Sequence, residues 1–282
     1  MSAAVPPNGF RNALVLGGGG AVGLTWMAGV VTGLSAAGID ATLADRIVGT
    51  SAGAITAAVI TGGLDPERLL NPPERPGVSG ELRVNPNGLT EILGELFALG
   101  LEPDEFRRRV GERALAAGAG DPAEHVARMA NLIGAEAWPE RELLVTAVDV
   151  TTGRRQVWTP GGKATLAEAV ASSTSVPGVF PPIPIGGTVY IDGGLYSPVN
   201  ADLAAGAEFV LIIEPLAHLF PRSPSDSELG GAATQSIAPD AAAIAAIGSN
   251  LFDPAAREPA FREGVRQGGE AAVRLKDVWP TA

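Results

Sequence analysis

Cysteine is absent from this chain, lysine occurs only as Lys163 and Lys276, and histidine only as His125 and His218. Each scarcity removes a class of chemistry. Without cysteine there is no disulfide framework, thiolate metal site or cysteine nucleophile. The two histidines and the carboxylates lack ligand spacing, so neither a metal nor another cofactor is expected. The formal net charge is −11, and without clustered lysine and arginine the chain cannot neutralise a phosphate backbone, which excludes nucleic acid as a partner. Aromatics make up 5% of the residues; Trp26, Trp138, Trp158 and Trp279 form no helical stripe and are assigned to packing. No apolar run provides the ~20 residues that span a bilayer. The strongest, LTWMAGVVTGLSAAGI, is diluted by Gly, Ser and Thr. The amino terminus lacks the basic start, apolar centre and cleavage site of a secretory signal. A soluble, cytoplasmic protein is expected, peripheral to any membrane it touches.

What the chain has in abundance is glycine, 37 of 282 residues, and much of it follows short apolar runs. NALVLGG reads as a buried strand, LTWMAGVVTGLSAAG as a helix, DRIVGT as a second strand and SAGAITAAVITGG as a second helix. Two strand–glycine–helix units in succession predict parallel strands with both helix amino termini at one sheet edge. Prolines 66, 72, 73, 76 and 86 then mark a surface connection. Helical patterning over about 88–135 reads as an insertion, RELLVTAVDVTTGRRQVWTP as strand, turn and strand, and AEFVLIIEPL as another buried strand. Residues of about 217–260 are loosely patterned and predict loops and poorly fixed helix, and the terminal amphipathic helix is interrupted by Gly268-Gly269. The whole chain, 1–282, reads as a single catalytic domain with its core over about 12–215.

Three glycine-bracketed sites fall at strand ends. Gly17 to Gly23, GGGGAVG, precedes a helix, where backbone N–H groups and the helix dipole favour an anion. GTSAG at 49–53 fits a nucleophile elbow, with Gly49 and Gly53 flanking Ser51. Asp192 begins the third, IDGG. A serine hydroxyl needs a proton acceptor and an oxyanion site, and Asp192 and the Gly17–Gly20 amides are the candidates. Plainer readings stand beside these: Ser51 as a helix cap, Asp192 and Asp149 as turn residues, Arg107-Arg108-Arg109 as a solvated helix face, and His125 as a surface residue. His218 follows Asp192 and would complete a Ser–Asp–His order.

GGGGAVG, GTSAG, ASSTSVPGVFPP and IDGG, in that order, resemble the patatin-like phospholipases. That resemblance implies a three-layer α/β/α fold with a mostly parallel central sheet, and lipid acyl hydrolysis by a serine–aspartate dyad without histidine. Carried over by motif, Ser51 matches the nucleophile, Asp192 the base, and Gly18, Gly19 and Gly20 the oxyanion loop. The expected activity is that of a serine acyl-ester hydrolase of phospholipase, lysophospholipase or carboxylesterase type. Where the family commonly has a basic residue before the last glycine of the loop, this chain has Val22, so a cation that could hold an acidic headgroup is missing.

Three other readings use the same residues. A Ser51–Asp192–His218 triad would define an α/β-hydrolase esterase. Gly18, Gly20 and Gly23 also spell a dinucleotide fingerprint, which calls for an acidic residue ending a second strand about 20 positions on; Asp40 stands near that distance but after SAAGI, a poor strand. A protein that binds lipid in a regulatory role would keep the motifs without turnover. The expected partner is a lipid or other acyl ester, with transient membrane contact through Phe97, Leu99, Leu101, Leu219 or Phe220. Nothing in the pattern signals oligomeric state.

Overall fold

A computed structural model of the chain describes residues 10–72, 88, 91, 92, 94 and 99–280. Alternation along the first strand, β1 (Phe10–Leu16), sends Leu14 and Leu16 to one side and Ala13 and Val15 to the other, and both sides are buried. A strand sandwiched between layers requires this. β2 (Arg46–Thr50) repeats the arrangement with Ile47 and Val48. Six further strands follow: β3 (Glu142–Asp149), β4 (Arg155–Trp158), β5 (Ile183–Ile185), β6 (Thr188–Asp192), β7 (Ala207–Ile213) and β8 (Ala233–Ile237). They pair in the order β5-β6-β3-β2-β1-β7-β8, with β4 also on β3. The ladders from β3 through β8 along that order are parallel, and those of β3 with β4 and β6, and of β5 with β6, are antiparallel. The predicted Thr-Gly hairpin is thus β3–β4.

Helices flank the sheet unequally. α1 (Gly20–Ala36), α2 (Ala52–Thr61), α4 (Pro122–Ile133), α5 (Leu166–Ser173), α6 (Ala241–Ile247) and α7 (Arg257–Leu275) share one core with Leu16, Ile47 and Val145. The opposite side is covered by α3 (Pro103–Ala117), whose Val110 and Ala114 pack on Val148 and Ile191, and by the short turn at Ala201–Ala204 with Leu229. The expected α/β/α layering is present, but the segment read as one helical insertion contributes to both layers. Phe97 lies outside the described residues.

Two further expectations are corrected. The stretch of about 217–260, besides the expected helix, α6, contains a strand, β8, which extends the parallel sheet beside β7; alternation is faint there because most of β8 is not buried. Gly268-Gly269 does not interrupt the terminal helix, which runs unbroken from Arg257 to Leu275. Gly264 and Gly268 of α7 lie against the backbone carbonyls of Trp26 and Val30, and Gly29 and Gly33 of α1 against those of Phe261 and Val265. A Cβ at any of the four would overlap the facing oxygen. The glycines therefore set how closely these parallel helices approach, and interhelical packing outweighs their low helix propensity.

The register on β3 positions the site. β2 pairs with Glu142–Thr146 and β6 with Ala147–Asp149, while β4 pairs across Val145–Val148 and so overlaps both. β2 and β6 must therefore share the other edge of β3 and meet end to end. Thr50 is opposite Thr146 and Asp192 is opposite Ala147, so the residue after β2, Ser51, arrives beside Asp192.

Candidate active site

Ser51 stands at the cap position of α2 with φ 53 and ψ −119. Among the described residues only Ser51 and Asn200 are non-glycine residues with positive φ, a conformation that costs on the order of 1–3 kcal/mol and concentrates at functional sites. The flanking glycines are sterically necessary. A Cβ at Gly49 would lie 2.6 Å from Ala54 Cα, and one at Gly53 would overlap the Leu16 carbonyl oxygen. Although Ser51 occupies a cap position, its side chain does not cap the helix. Its Oγ donates to Asp192 Oδ2 at 2.7 Å.

Asp192 divides its two oxygens between the two readings made from the sequence. Oδ1 accepts the Gly194 N–H at 2.7 Å, as an aspartate-turn residue does, while Oδ2 faces Ser51. The residue is 5% exposed. Burial pushes its carboxyl up to about 7, against the smaller lowering effect of the hydrogen bonds from Ser51 and Gly194. An ordinary aspartate would be a weak base near neutrality; this one is poised there.

The segment ASSTSVPGVF holds the pair by its backbone. Ser173 Oγ accepts the Ser51 N–H at 2.8 Å, and the Ser175 carbonyl accepts the Asp192 N–H at 3.1 Å. Beneath them lies Asn200, fully buried, with φ 54. Its Nδ2 donates to Thr50 Oγ1 at 3.0 Å and to the Ser197 carbonyl at 2.9 Å, with longer contacts of 3.3 Å to Thr146 Oγ1 and 3.4 Å to the Gly193 carbonyl. Arg155 donates to Asn200 Oδ1 at 3.1 Å and fixes the amide's orientation, itself held by Asp202. Ser173, Ser175 and Asn200 were not among the candidate site residues read from the sequence. The Ser-Ser-Thr-Ser run was a visible signal for the first two, whereas Asn200 becomes meaningful only once β2, β3, β4 and the segment after β6 converge on it.

The glycine loop lies against the serine: a Cβ at Gly18 would be 3.6 Å from Ser51 Cβ. Its three candidate amides are not equivalent. The Gly18 N–H already donates to the Pro198 carbonyl at 2.8 Å, which removes it from the oxyanion set. Gly19 caps α1 and Gly20 begins it with φ 61; among the described residues neither amide has a protein acceptor. The amino termini of α1 and α2 thus converge on Ser51, and their dipoles favour developing negative charge.

Other expectations change. His218 is not part of the pair, because the Ser51 hydroxyl reaches Asp192 directly and the other Asp192 oxygen is held by Gly194. His125 is buried rather than on the surface, with Nε2 3.1 Å from Thr174 Oγ1 and its ring stacked on Phe180 at 4.7 Å. Burial, reinforced by Arg128, pushes it down to about 4. The arginine run is not one solvated face: Arg108 and Arg109 pair with Glu105 and Glu112, but Arg107 is buried and donates to the Gly153 carbonyl at 2.6 Å. Asp149 serves its turn, accepting the Thr151 N–H at 2.7 Å. Asp40 caps a short turn at Ala41–Leu43 and ends no strand, unlike the acid of a dinucleotide site. Among the described residues there is no cluster of histidine and carboxylate suited to a metal, and no helix is long and apolar enough to cross a membrane.

A sequence model of the Patatin-like phospholipase family matches residues 14–205, and the chain belongs to that family. No curated protein sequence matches it significantly. Among solved structures it is similar to VipD from Legionella pneumophila, with 13% identity and a TM-score of 0.47, covering 96% of this chain and 68% of that one. It is also similar to the type III effector protein ExoU, with 18% identity and a TM-score of 0.38, covering 96% of this chain and 54% of the other. The chain therefore spans about half the length of ExoU.

Proposed function

We propose that the protein is a serine acyl-ester hydrolase of the lipid acyl hydrolase type that works through a Ser51–Asp192 dyad. The observation that carries this reading is the 2.7 Å hydrogen bond from Ser51 Oγ to the buried Asp192 carboxylate. Asp192 takes the hydroxyl proton as Ser51 Oγ attacks the ester carbonyl carbon. The resulting oxyanion is stabilised by the Gly19 and Gly20 amides at the start of α1. Collapse breaks the bond to the leaving alcohol, which receives the proton from Asp192 and leaves an acyl-Ser51 ester. Water, deprotonated by Asp192, attacks that ester and releases the acid, restoring the serine.

Hydrolysis of a p-nitrophenyl ester series by wild type, Ser51→Ala and Asp192→Asn tests the reading. Both variants are expected to lose at least about a thousandfold in kcat, as removal of a member of a concerted catalytic set does. Wild type is expected to prefer longer acyl chains and to be labelled at Ser51 by a phosphonate. Activity retained by Asp192→Asn would remove Asp192 from the role, and a wild type that is neither active nor labelled would defeat the reading. Leu99, Leu219 and Phe220, 61%, 49% and 44% exposed, offer an apolar approach to a lipid surface; Leu101 is half-buried.

A further inference from the structure

A cleft opens where the chain reverses its strand order. From β1 the chain builds β2 and β3 on one side, and it later returns to the other side of β1 with β7 and β8. In open parallel sheets, ligands bind outside the carboxyl ends of the strands at such a switch point. Here a small, solvent-open cleft lies there, its enclosed space about 10 Å³, room for about one water, lined by Gly18 after β1, by Glu214, Leu216, Phe220 and Arg222 after β7, and by Pro198. Gly18 also lies against Ser51, so the cleft and the dyad share a wall.

The cleft contains a single cation. Arg222 donates through Nε and Nη2 to Glu214 at 2.9 and 2.6 Å. Glu214 also accepts from Ser236 Oγ. The Glu214 side chain is 9% exposed and that of Arg222 is 35% exposed, so the carboxylate forms the inner half of the pair and the guanidinium the outer half. A guanidinium has more N–H groups than this pair engages, and among the described residues Arg222 Nη1 has no protein acceptor. No basic residue comes from the glycine loop: the position where one would stand is Val22, in the first turn of α1 and fully buried in the core.

We propose that the leaving-group end of the ester lies across the mouth of this cleft and that Arg222, at its rim, binds an anionic phosphate oxygen there, making it the headgroup-selecting residue. The proposal rests on the hydrolase reading above. Because Glu214 balances the charge of Arg222, the cleft is not an indiscriminate anion trap. Arg222 contributes a directed, charge-assisted hydrogen bond, which counts once the dyad and the acyl chain hold the rest of the substrate.

The test compares kcat/KM for two esters of one acyl chain, a lysophospholipid with a phosphoglycerol headgroup and the corresponding monoacylglycerol, on the full chain. Arg222→Gln is expected to lower the ratio of phosphorylated to neutral substrate about tenfold, the scale of one lost charge-assisted hydrogen bond. Glu214→Gln is expected to raise it by freeing the guanidinium, and Arg222→Lys to retain part of it. A purely structural ion pair would instead make both Gln variants shift the ratio in one direction or leave it unchanged, and either result overturns the proposal. Inhibition of monoacylglycerol hydrolysis by inorganic phosphate, reduced in Arg222→Gln, would support a site that takes free phosphate. No such inhibition, with the opposite ratio changes intact, would support a site that takes phosphate only as a lipid headgroup. A wild type that hydrolyses neither ester and resists phosphonate labelling marks failure of the hydrolase reading itself.

Discussion

The side-chain amide of Asn200 donates to Thr50 Oγ1 across 3.0 Å and so ties the loop after β6 to the residue immediately before Ser51. Its longer contact to the Gly193 carbonyl touches the residue immediately after Asp192. One buried amide therefore spans both halves of the proposed dyad. Asn200→Gly removes the amide while accommodating the positive φ at little strain. The expected outcome is a kcat about 10- to 100-fold lower with KM within about twofold, the signature of a misplaced reacting pair. Kinetics normalised to phosphonate-titrated sites check this; an unchanged kcat would show that the network only supports the fold.

In the proposed mechanism the buried Asp192 must be ionised to accept the serine proton, and its carboxyl is pushed up to about 7. The kcat/KM of the free enzyme is therefore expected to rise through about pH 7 and level off above it, rather than to level off near pH 4 to 5 as an ordinary aspartate would allow. A pH–rate profile with a soluble ester reads this directly.

The same shift predicts a conflict between activity and stability. Below about pH 4 Asp192 is protonated in both states. Between about 4 and 7 the folded state holds a proton that the unfolded state has released, so its contribution to stability is lost as pH rises through that window. The loss is on the order of 4 kcal/mol. His125, pushed down to about 4, has the opposite slope: between about 4 and 6.5 the unfolded state binds the extra proton, and stability falls as pH falls. Asp192→Asn is thus expected to be inactive yet more stable than wild type at pH 8, and to leave the His125 slope exposed between about pH 4 and 6.5. Denaturant unfolding across pH tests both statements.

The α1–α7 contact gives a prediction remote from the chemistry. A Cβ at Gly33 would overlap the Val265 carbonyl oxygen, so Gly33→Ala must push the helices apart despite alanine's better helix propensity. A loss of about 1–3 kcal/mol, the range for overpacking, is expected. A stability equal to or above wild type in urea unfolding would contradict the close packing.

Much of the site was legible because steric demands write themselves into local sequence. Gly49 and Gly53 flank Ser51 since only glycine fits against Ala54 and Leu16 in a strand-to-helix turn this sharp, and such a turn needs no distant information. Other features could not be read locally. His125 sits in a stretch with the polarity of a surface helix, but the ring is covered by Phe180 and Thr174 from the segment after α5. Arg107 shares a run with two exposed arginines, yet the neighbouring hairpin offers it the Gly153 carbonyl. Gly268-Gly269 has the composition of a break, and what makes a continuous helix there is a partner about 240 residues earlier in the chain.

By itself, the order of residues determined the strand–glycine–helix rhythm, the positions of Ser51, Asp192 and the Gly18–Gly20 loop, and the absence of thiol chemistry, because these follow from backbone geometry and residue type over a few positions. Tertiary structure alone decided that β2 and β6 meet on one edge of β3, bringing Ser51 and Asp192 together across 141 residues. It also decided that Asp192 is buried and its carboxyl pushed up toward neutrality, that the Gly18 amide is taken by Pro198, and that the Ser51 hydroxyl reaches Asp192 without His218 between them. Burial, desolvation and hydrogen-bond competition depend on which distant segments arrive around a group, and only the folded chain specifies that.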